Sequence, residues 1–276
     1  MPRLDVLLVE RGLAKSRSQA QRWIADGKVA VRSDDHSGDH REGDGWQVVR
    51  KAGAKVADDV EVQIYSSEED RYVSRAGAKL AAALPYLQTD SHQGDLQGDL
   101  QGAQVLDIGQ STGGFTDCVL QAGAASVVGV EVGHGQLAES LRHDARVVCL
   151  EGINARHLSR ADLEPHFPAA GFDLVVMDVS FISQRKILPR LPVLMAVGGH
   201  LITLVKPQFE CGPQALDKHG VVRDPQLFAA LEAQLCAQIE QLGLQLLQYL
   251  ESPILGGDGN REFLLVAKKN SQISIA

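Results

Sequence analysis

The sequence predicts an α/β domain with a mostly parallel sheet, preceded by a small α+β module. Three observations carry this. From residue 104 onward, short apolar runs alternate with helical patterns, which is the order of a parallel sheet covered on both faces. The first of those runs ends in an acid and a glycine-rich turn, Val105-Leu106-Asp107-Ile108-Gly109-Gln110-Ser111-Thr112-Gly113-Gly114-Phe115. The last two runs are joined by Gly256-Gly257-Asp258-Gly259-Asn260 and read as an antiparallel edge pair.

The elements follow in chain order. Leu4, Leu7 and Leu8 share a helical face, and Gly12 stops that helix. Ser16 with Gln19 reads as a capping box for a second helix, with Ala20, Trp23 and Ile24 inward and Arg17, Gln21 and Arg22 outward. Asp26-Gly27 ends it, and Val29–Val31, Trp46–Val49 and Val60–Ile64 are short strands. The stretch Ser33–Gly45, rich in Asp, His and Gly, reads as a mobile loop. These elements make a module over residues 1–65, and 66–72 is an acidic linker. A helix begins near Ser74. The near-repeat Gln93–Gly102 holds too little apolar surface to pack and reads as a flexible insertion. Strands are then expected at Gln104–Ile108, Ser126–Val132, Arg146–Leu150, Phe172–Val179, His200–Val205, Gln245–Glu251 and Glu262–Lys268. Helical patterns include Gln184–Met195 and Pro225–Leu242. Seven strands, five parallel and a closing antiparallel pair, make a Rossmann-like sheet over residues 73–270.

Composition narrows the function. A chain of 276 residues with 44% hydrophobic content supports a large core. The formal charge of -8 argues against nucleic acid for the chain as a whole, but residues 1–32 carry seven basic against three acidic side chains. That local excess points to an anionic partner for the N-terminal module, with a solvated basic helix face as the plain alternative. The four cysteines are scattered without a C-x-x-C pair, the expected pattern of buried, reduced thiols in a cytoplasmic chain. No metal is expected from the nine histidines. No signal peptide is recognisable, and no apolar run approaches the ~20 residues that span a bilayer.

The glycine loop is a place where an adenosine cofactor can lie against backbone at a helix N-terminus. The next apolar run ends in Glu131, an acid placed to take paired ribose hydroxyls. The loop is not G-x-G-x-x-G and no G-K-[ST] follows, so S-adenosylmethionine is favoured over a dinucleotide or triphosphate. Two further strand ends carry ionisable groups, Asp178 after Leu174–Met177 and Lys206 after Leu201–Val205. Ligands of open parallel sheets bind at these ends. A purely structural ion pair remains the alternative for Asp178 and Lys206.

Five segments together resemble the TlyA family: Arg71–Leu80, Asp107–Asp117, Met177–Ser183, Leu204–Glu210 and Gly259–Leu264. That family was first named haemolysin A. It is understood as rRNA methyltransferases acting on the ribose 2'-hydroxyl of cytidine, with a catalytic domain of the FtsJ type. The N-terminal Arg3-Leu4-Asp5, Ser16–Ala20 and Gly27-Lys28-Val29 resemble the small RNA-binding domain of the ribosomal S-four protein. The resemblance covers nearly the whole chain.

The resemblance implies a Lys-Asp-Lys-Glu tetrad, matched here by Lys79, Asp178, Lys206 and Glu262. A protonated ribose hydroxyl is a poor nucleophile, and a neutral lysine can serve as its base. Lys206 is expected as base, Asp178 as its orienting partner, and Lys79 and Glu262 as the rest of the network. Asp107, Gly109, Ser111, Thr112, Gly113 and Gly114 are expected around the methionine end of the cofactor, Glu131 at its ribose and Asn154 near adenine. Arg3, Arg17, Arg22 and Lys28 are the expected RNA contacts, with ribosomal RNA or ribosomal subunits as partner and no membrane. Gln110 stands where the family usually has alanine, and Glu131 where aspartate is more usual. A longer side chain at 110 is expected to crowd the cofactor loop. Three rival readings follow: a methyltransferase-like RNA-binding protein that has lost activity; a membrane-active haemolysin, which the absence of a spanning segment disfavours; and base methylation, which the lysine-bearing tetrad disfavours because base nitrogens need no such base.

Overall fold

The computed structural model describes residues 1–14, 16–32, 45–65, 68–87 and 100–270. The expected loop at 33–45 and the repeat at 93–102 lie largely outside the described residues. The chain divides into two compact units, Met1–Asp70 and Arg71–Ala276.

In the first unit, α1 (Leu4–Glu10) and α2 (Arg17–Ala25) pack through Leu4, Leu7 and Leu8 against Ala20, Trp23 and Ile24. The Ser16 hydroxyl accepts the Gln19 amide at 3.2 Å, satisfying one free donor at the start of α2. Three antiparallel strands, β1 (Val29–Arg32), β2 (Gln47–Val48) and β3 (Glu61–Ile64), form a sheet in the order β2-β1-β3. Asp70, expected in the linker, is instead buried in this unit. Trp23 Nε1 donates to its Oδ1 at 2.7 Å and Lys28 Nζ to its Oδ2 at 2.8 Å. A buried carboxylate needs such donors, and they fix the segment that composition marked as loose.

The second unit begins with the buried Tyr72 and with Val73, whose amide donates to Asp117 Oδ2 at 2.8 Å, so Tyr72 is part of its core and not of a linker. Its helices are α3 (Ala76–Ala81), α4 (Gly114–Gln121), α5 (Glu139–Arg142), α6 (Pro207–Glu210) and α7 (Pro225–Gln241). Its strands are β4 (Gln104–Ile108), β5 (Ser126–Glu131), β6 (Val147–Glu151), β7 (Phe172–Met177), β8 (Met195–Val205), β9 (Leu244–Glu251) and β10 (Phe263–Lys269). They form one seven-stranded sheet in the order β6-β5-β4-β7-β8-β10-β9. β4 to β8 run parallel, and β10 is antiparallel to both β8 and β9. The order reverses at β4, which opens a crevice beyond its C-terminal end.

Strand alternation explains the two cores. Leu106, Ile108, Val128, Val130, Val175 and Met177 face the layer that holds Phe228, Leu231, Leu235 and Ile239 of α7. Val105, Val127, Leu174, Val176, Ile202 and Leu204 face Leu80 of α3 and Phe115 and Val119 of α4. Asp107 shares the parity of Val105 and is therefore carried under α4. The expected helix Gln184–Met195 does not form. Its place is taken by two single 3-10 turns, Gln184–Lys186 and Leu188–Arg190. Pro189 and Pro192 remove amide donors inside the would-be helix. β8 starts at Met195, before its expected start at His200.

Candidate active site

The glycine loop between β4 and α4 lies against the end of β7. Gly109 has φ +82°, and a Cβ there would stand 2.3 Å from the carbonyl oxygen of Asp178. Only glycine permits that approach. Glu131, at the end of β5, accepts the Ser111 amide at 3.0 Å on Oε2 and the Gly133 amide at 2.8 Å on Oε1. It thereby pins the loop while facing a cavity of about 530 Å³. Gly109, Ser111, Glu131 and Asn154 line that cavity, with Val130, Ile153 and Ile187 as apolar wall. Asn154 also caps its own turn, accepting the Arg156 amide at 3.0 Å. A second, smaller cavity of about 230 Å³ shares Gly109, Ser111 and Asp178 with the first and adds Thr112, Gly114 and Lys206.

The four charged residues form two ion pairs. Lys206 Nζ stands 2.6 Å from Asp178 Oδ1 and donates to Ser180 Oγ at 3.0 Å. Lys79 Nζ donates to Glu262 Oε2 at 2.6 Å. Glu262 therefore pairs with Lys79 rather than with Lys206. The backbone keeps the pairs adjacent, because Phe263 of β10 is opposite Val205 of β8 and the two acid- and amine-bearing residues are the next along. All four side chains are largely shielded from water.

Asp107 and Gly113 line neither cavity. Asp107 is wholly buried and its Oδ2 accepts the Thr116 hydroxyl at 2.6 Å. Burial pushes its carboxyl up to about 7, against the Thr116 bond and with the help of the Asp178 and Glu131 charges. Gly113 is the left-handed cap of α4, where a Cβ would run into Leu141 and Leu137. Gln110 does not crowd the loop as expected. Its side chain is 2% exposed and turned inward, with Nε2 donating to Thr116 Oγ1 at 2.9 Å. It occupies the space beside Gly129, where a Cβ would come within 2.0 Å of its amide carbon.

In the first unit, Asp5 gathers the arginines. It accepts Arg3 Nε at 2.9 Å, Arg17 Nε at 2.9 Å and Gln21 Nε2 at 2.7 Å. Asp5 is wholly buried while the Arg3 and Arg17 side chains remain 47% and 55% exposed. Arg22 is partly buried on α2. Lys28 has its ammonium on both oxygens of Asp70, so it acts first as a tie within this unit.

Residues 72–269 match the model of the FtsJ-like methyltransferase, and residues 2–31 match the S4 domain. The chain belongs to the FtsJ-like methyltransferase family. Within it, the chain is a TlyA-type member. It is 40% identical to the 16S/23S rRNA (cytidine-2'-O)-methyltransferase TlyA of Mycobacterium tuberculosis, over 95% of this chain and 88% of that one. It is 35% identical to Hemolysin A of Brachyspira hyodysenteriae, over 95% of this chain and 98% of the relative. A solved structure from Streptococcus thermophilus, named as a hemolysin, has a TM-score of 0.69 at 35% identity over 98% of this chain and 89% of that one.

Three residues of this methyltransferase site escaped the reading of the sequence. Ser180 accepts from Lys206, two positions beyond Asp178. Gln136 accepts the Ser111 hydroxyl at 3.1 Å on the wall of the larger cavity. Phe181 is 92% exposed on that cavity's rim and holds φ +63°, a conformation that a bulky residue rarely adopts. The only signal for Ser180 and Phe181 was their place just beyond an acid at a strand end.

Proposed function

We propose that this methyltransferase uses S-adenosylmethionine to methylate the ribose 2'-hydroxyl of a cytidine in ribosomal RNA, in the cytoplasm. The observation that carries the reading is the Lys206–Asp178 pair on the wall of the smaller cavity, beside the glycine loop. The TlyA relative from M. tuberculosis bears the name of that reaction. The residues present fit the cofactor: the crowded Gly109 lets backbone form a cradle, and the larger cavity joins apolar walls to the acid Glu131. Gly109, Ser111, Glu131 and Asn154 would hold it. When bound, it supplies the methyl group as an electrophilic sulfonium.

The protein's own task is to prepare the hydroxyl. Lys206 Nζ is the group that takes up the 2'-hydroxyl proton, and Asp178 at 2.6 Å orients it and stabilises the charge it then carries. Ser180 fixes the amine's direction. Lys79 and Glu262 hold the neighbouring strand end in place. In-line alignment supplies much of the acceleration, and proton removal adds roughly 10²–10⁴-fold. Phe181 offers an exposed ring to a nucleobase at the cavity rim, and single-stranded bases are commonly bound by stacking. The first unit, with Arg3, Arg17 and Arg22 on its surface, would dock the RNA, and Lys28 would support that surface through Asp70. The organisation is an RNA-docking module followed by a catalytic domain.

Mass-spectrometric mapping of rRNA ribose methylation, with and without the protein and with Lys206→Ala, tests this reading. Methylation present with the wild-type protein and absent with Lys206→Ala is the expected result. Unchanged methylation by Lys206→Ala removes the base assignment. No methylation by the wild-type protein, despite tight cofactor binding, favours an inactive RNA-binding relative. Leakage from liposomes without RNA modification would instead favour the activity that the name hemolysin suggests.

A further inference from the structure

We propose that Glu210 is a positioning residue that locks Asp178 and Lys206 into their shared geometry. The inference rests on the reading of that pair as the proton-handling groups. Asp178 and Lys206 stand one residue beyond the ends of different strands, and each leads into a segment of its own: 178–183 after β7 and α6 after β8. Glu210 is the last residue of α6, one turn beyond Lys206, and its carboxylate is almost entirely shielded.

That carboxylate spans the gap between the two segments. Oε2 accepts the Ser183 hydroxyl at 2.6 Å, Oε1 accepts the Gln184 amide at 2.7 Å, and Arg185 Nε donates to Oε2 at 3.3 Å. Three consecutive residues at the far end of the Asp178 segment are thus tied to the helix that Lys206 caps. A second tie runs from the Lys206 strand itself, where Thr203 Oγ1 donates to Gln184 Oε1 at 2.5 Å. Arg185 and Gln238 then fasten the same turn to α7, through Arg185 Nη1 to Gln234 at 2.9 Å and Gln238 Nε2 to the Arg185 carbonyl at 3.0 Å.

The result is a closed ring. It runs from Asp178 along the segment to Ser183, across Glu210, back along α6 to Lys206, and across the ion pair to Asp178. Ser180 lies inside the ring and accepts from Lys206. Phe181, also inside it, keeps its left-handed φ. Such strain persists only when the surroundings over-determine the backbone. Burying a carboxylate costs free energy, and several donors aimed at it from one short segment are what offset that cost. With Glu210 neutralised or shortened, the segment can relax, and a displacement near 1 Å at a reacting group can cost ~10²-fold in rate.

The test uses the full chain with S-adenosylmethionine and with ribosomal subunits isolated from cells that lack the protein. Glu210→Gln, Glu210→Ala, Ser183→Ala and Lys206→Ala are compared in single-turnover methyl transfer at saturating cofactor and subunits. Glu210→Gln, which keeps an acceptor for the Gln184 amide, is expected to lose about 10-fold in saturating rate, Glu210→Ala about 100-fold and Ser183→Ala about 3-fold, with KM changing less than the rate. If Glu210→Ala fails to fold, the graded losses in the other two variants still decide. A lowered melting temperature or raised KM with an unchanged saturating rate in Glu210→Gln and Ser183→Ala overturns the proposal. Full activity in Lys206→Ala overturns the underlying base assignment instead, so the two failures are distinguishable.

Discussion

Asp5 and Asp107 are both wholly buried aspartates, one in each unit, and their surroundings push them in opposite directions. The Arg3 hydrogen bond, with those of Gln21 and Arg17, holds the Asp5 carboxyl well below the usual carboxylate range despite burial. Asp107 receives the Thr116 hydroxyl but no cation, lies near Asp178 and Glu131, and is pushed up to about 7. Burial alone therefore does not decide ionisation; the donors aimed at the carboxylate do. The first unit spends a buried acid on fixing arginines whose outer N–H groups stay in water. The second unit keeps Lys79 and Lys206 inside, each against an acid, where water is scarce and charge interactions are strong. One arrangement suits docking a polyanion, the other suits proton chemistry.

The largest effect is expected from opening the shielded pair in the second unit. Lys79→Met or Glu262→Leu alone leaves its partner buried and unpaired, which typically costs about 3–5 kcal/mol. The double replacement removes both charges and is expected to recover most of that loss. Urea unfolding of the three variants checks this. Equal or additive losses would mean that the pair is less shielded than its geometry shows.

Asp107 gives the next effect, through pH. Its folded pKa is raised, so between the unfolded value near 4 and about 7 the folded state binds more protons than the unfolded state. Stability from this group is therefore lost as pH rises through that window, by at most ~1.4 kcal/mol per pH unit. Asp107→Asn lacks the titration, so its stability should gain on the wild type from pH 4 to 7 and then run parallel. A constant difference across the window would show that Asp107 keeps its ordinary pKa. Asp5 behaves oppositely. Its contribution is present above the unfolded pKa and is lost only in strong acid, below the usual carboxylate range.

This contrast also marks how far the sequence could be read. The alternation of apolar residues gave the sheet, since period two along β4, β5 and β7 sorts Val105 from Leu106 and Val127 from Val128 without knowledge of neighbours. Capping chemistry gave the start of α2. Asp178 and Lys206 were legible as ionisable groups at parallel strand ends. The pairing of Lys79 with Glu262 was not, because 183 residues separate them and only the family resemblance linked them. The inward turn of Gln110 depends on the missing side chain at Gly129, a contact no local pattern encodes. Asp70 looked like linker because its partners, Trp23 and Lys28, lie more than forty residues away. The helix expected at Gln184–Met195 does not form because Pro189 and Pro192 override its apolar spacing.

In the first unit, Asp5→Asn separates geometry from net charge. On charge alone, removing an acid from a basic surface should tighten RNA binding. If Asp5 acts by fixing Arg3 and Arg17, the same change frees both guanidiniums and affinity should fall about tenfold, because the ordering cost is then met on binding. Filter binding to rRNA at fixed salt measures this, with circular dichroism to confirm the fold. A tighter complex would show that the arginines need no scaffold.

The smallest effect concerns how many phosphates that scaffold reaches. Each guanidinium that neutralises one phosphate releases condensed counterion and adds a little under one unit to the slope of log affinity against log salt, about 0.7 for a single strand. Arg3→Ala and Arg17→Ala should each lower the slope by roughly that amount and weaken binding evenly across RNA sequences. Lys28→Ala should leave the slope nearly unchanged, because its ammonium is already taken by Asp70, and should act instead on the stability of the first unit. A Lys28→Ala slope change as large as that of Arg17→Ala would mean that the lysine leaves Asp70 for the RNA. The first unit would then present its charges by exchange of partners rather than by a fixed buried acid.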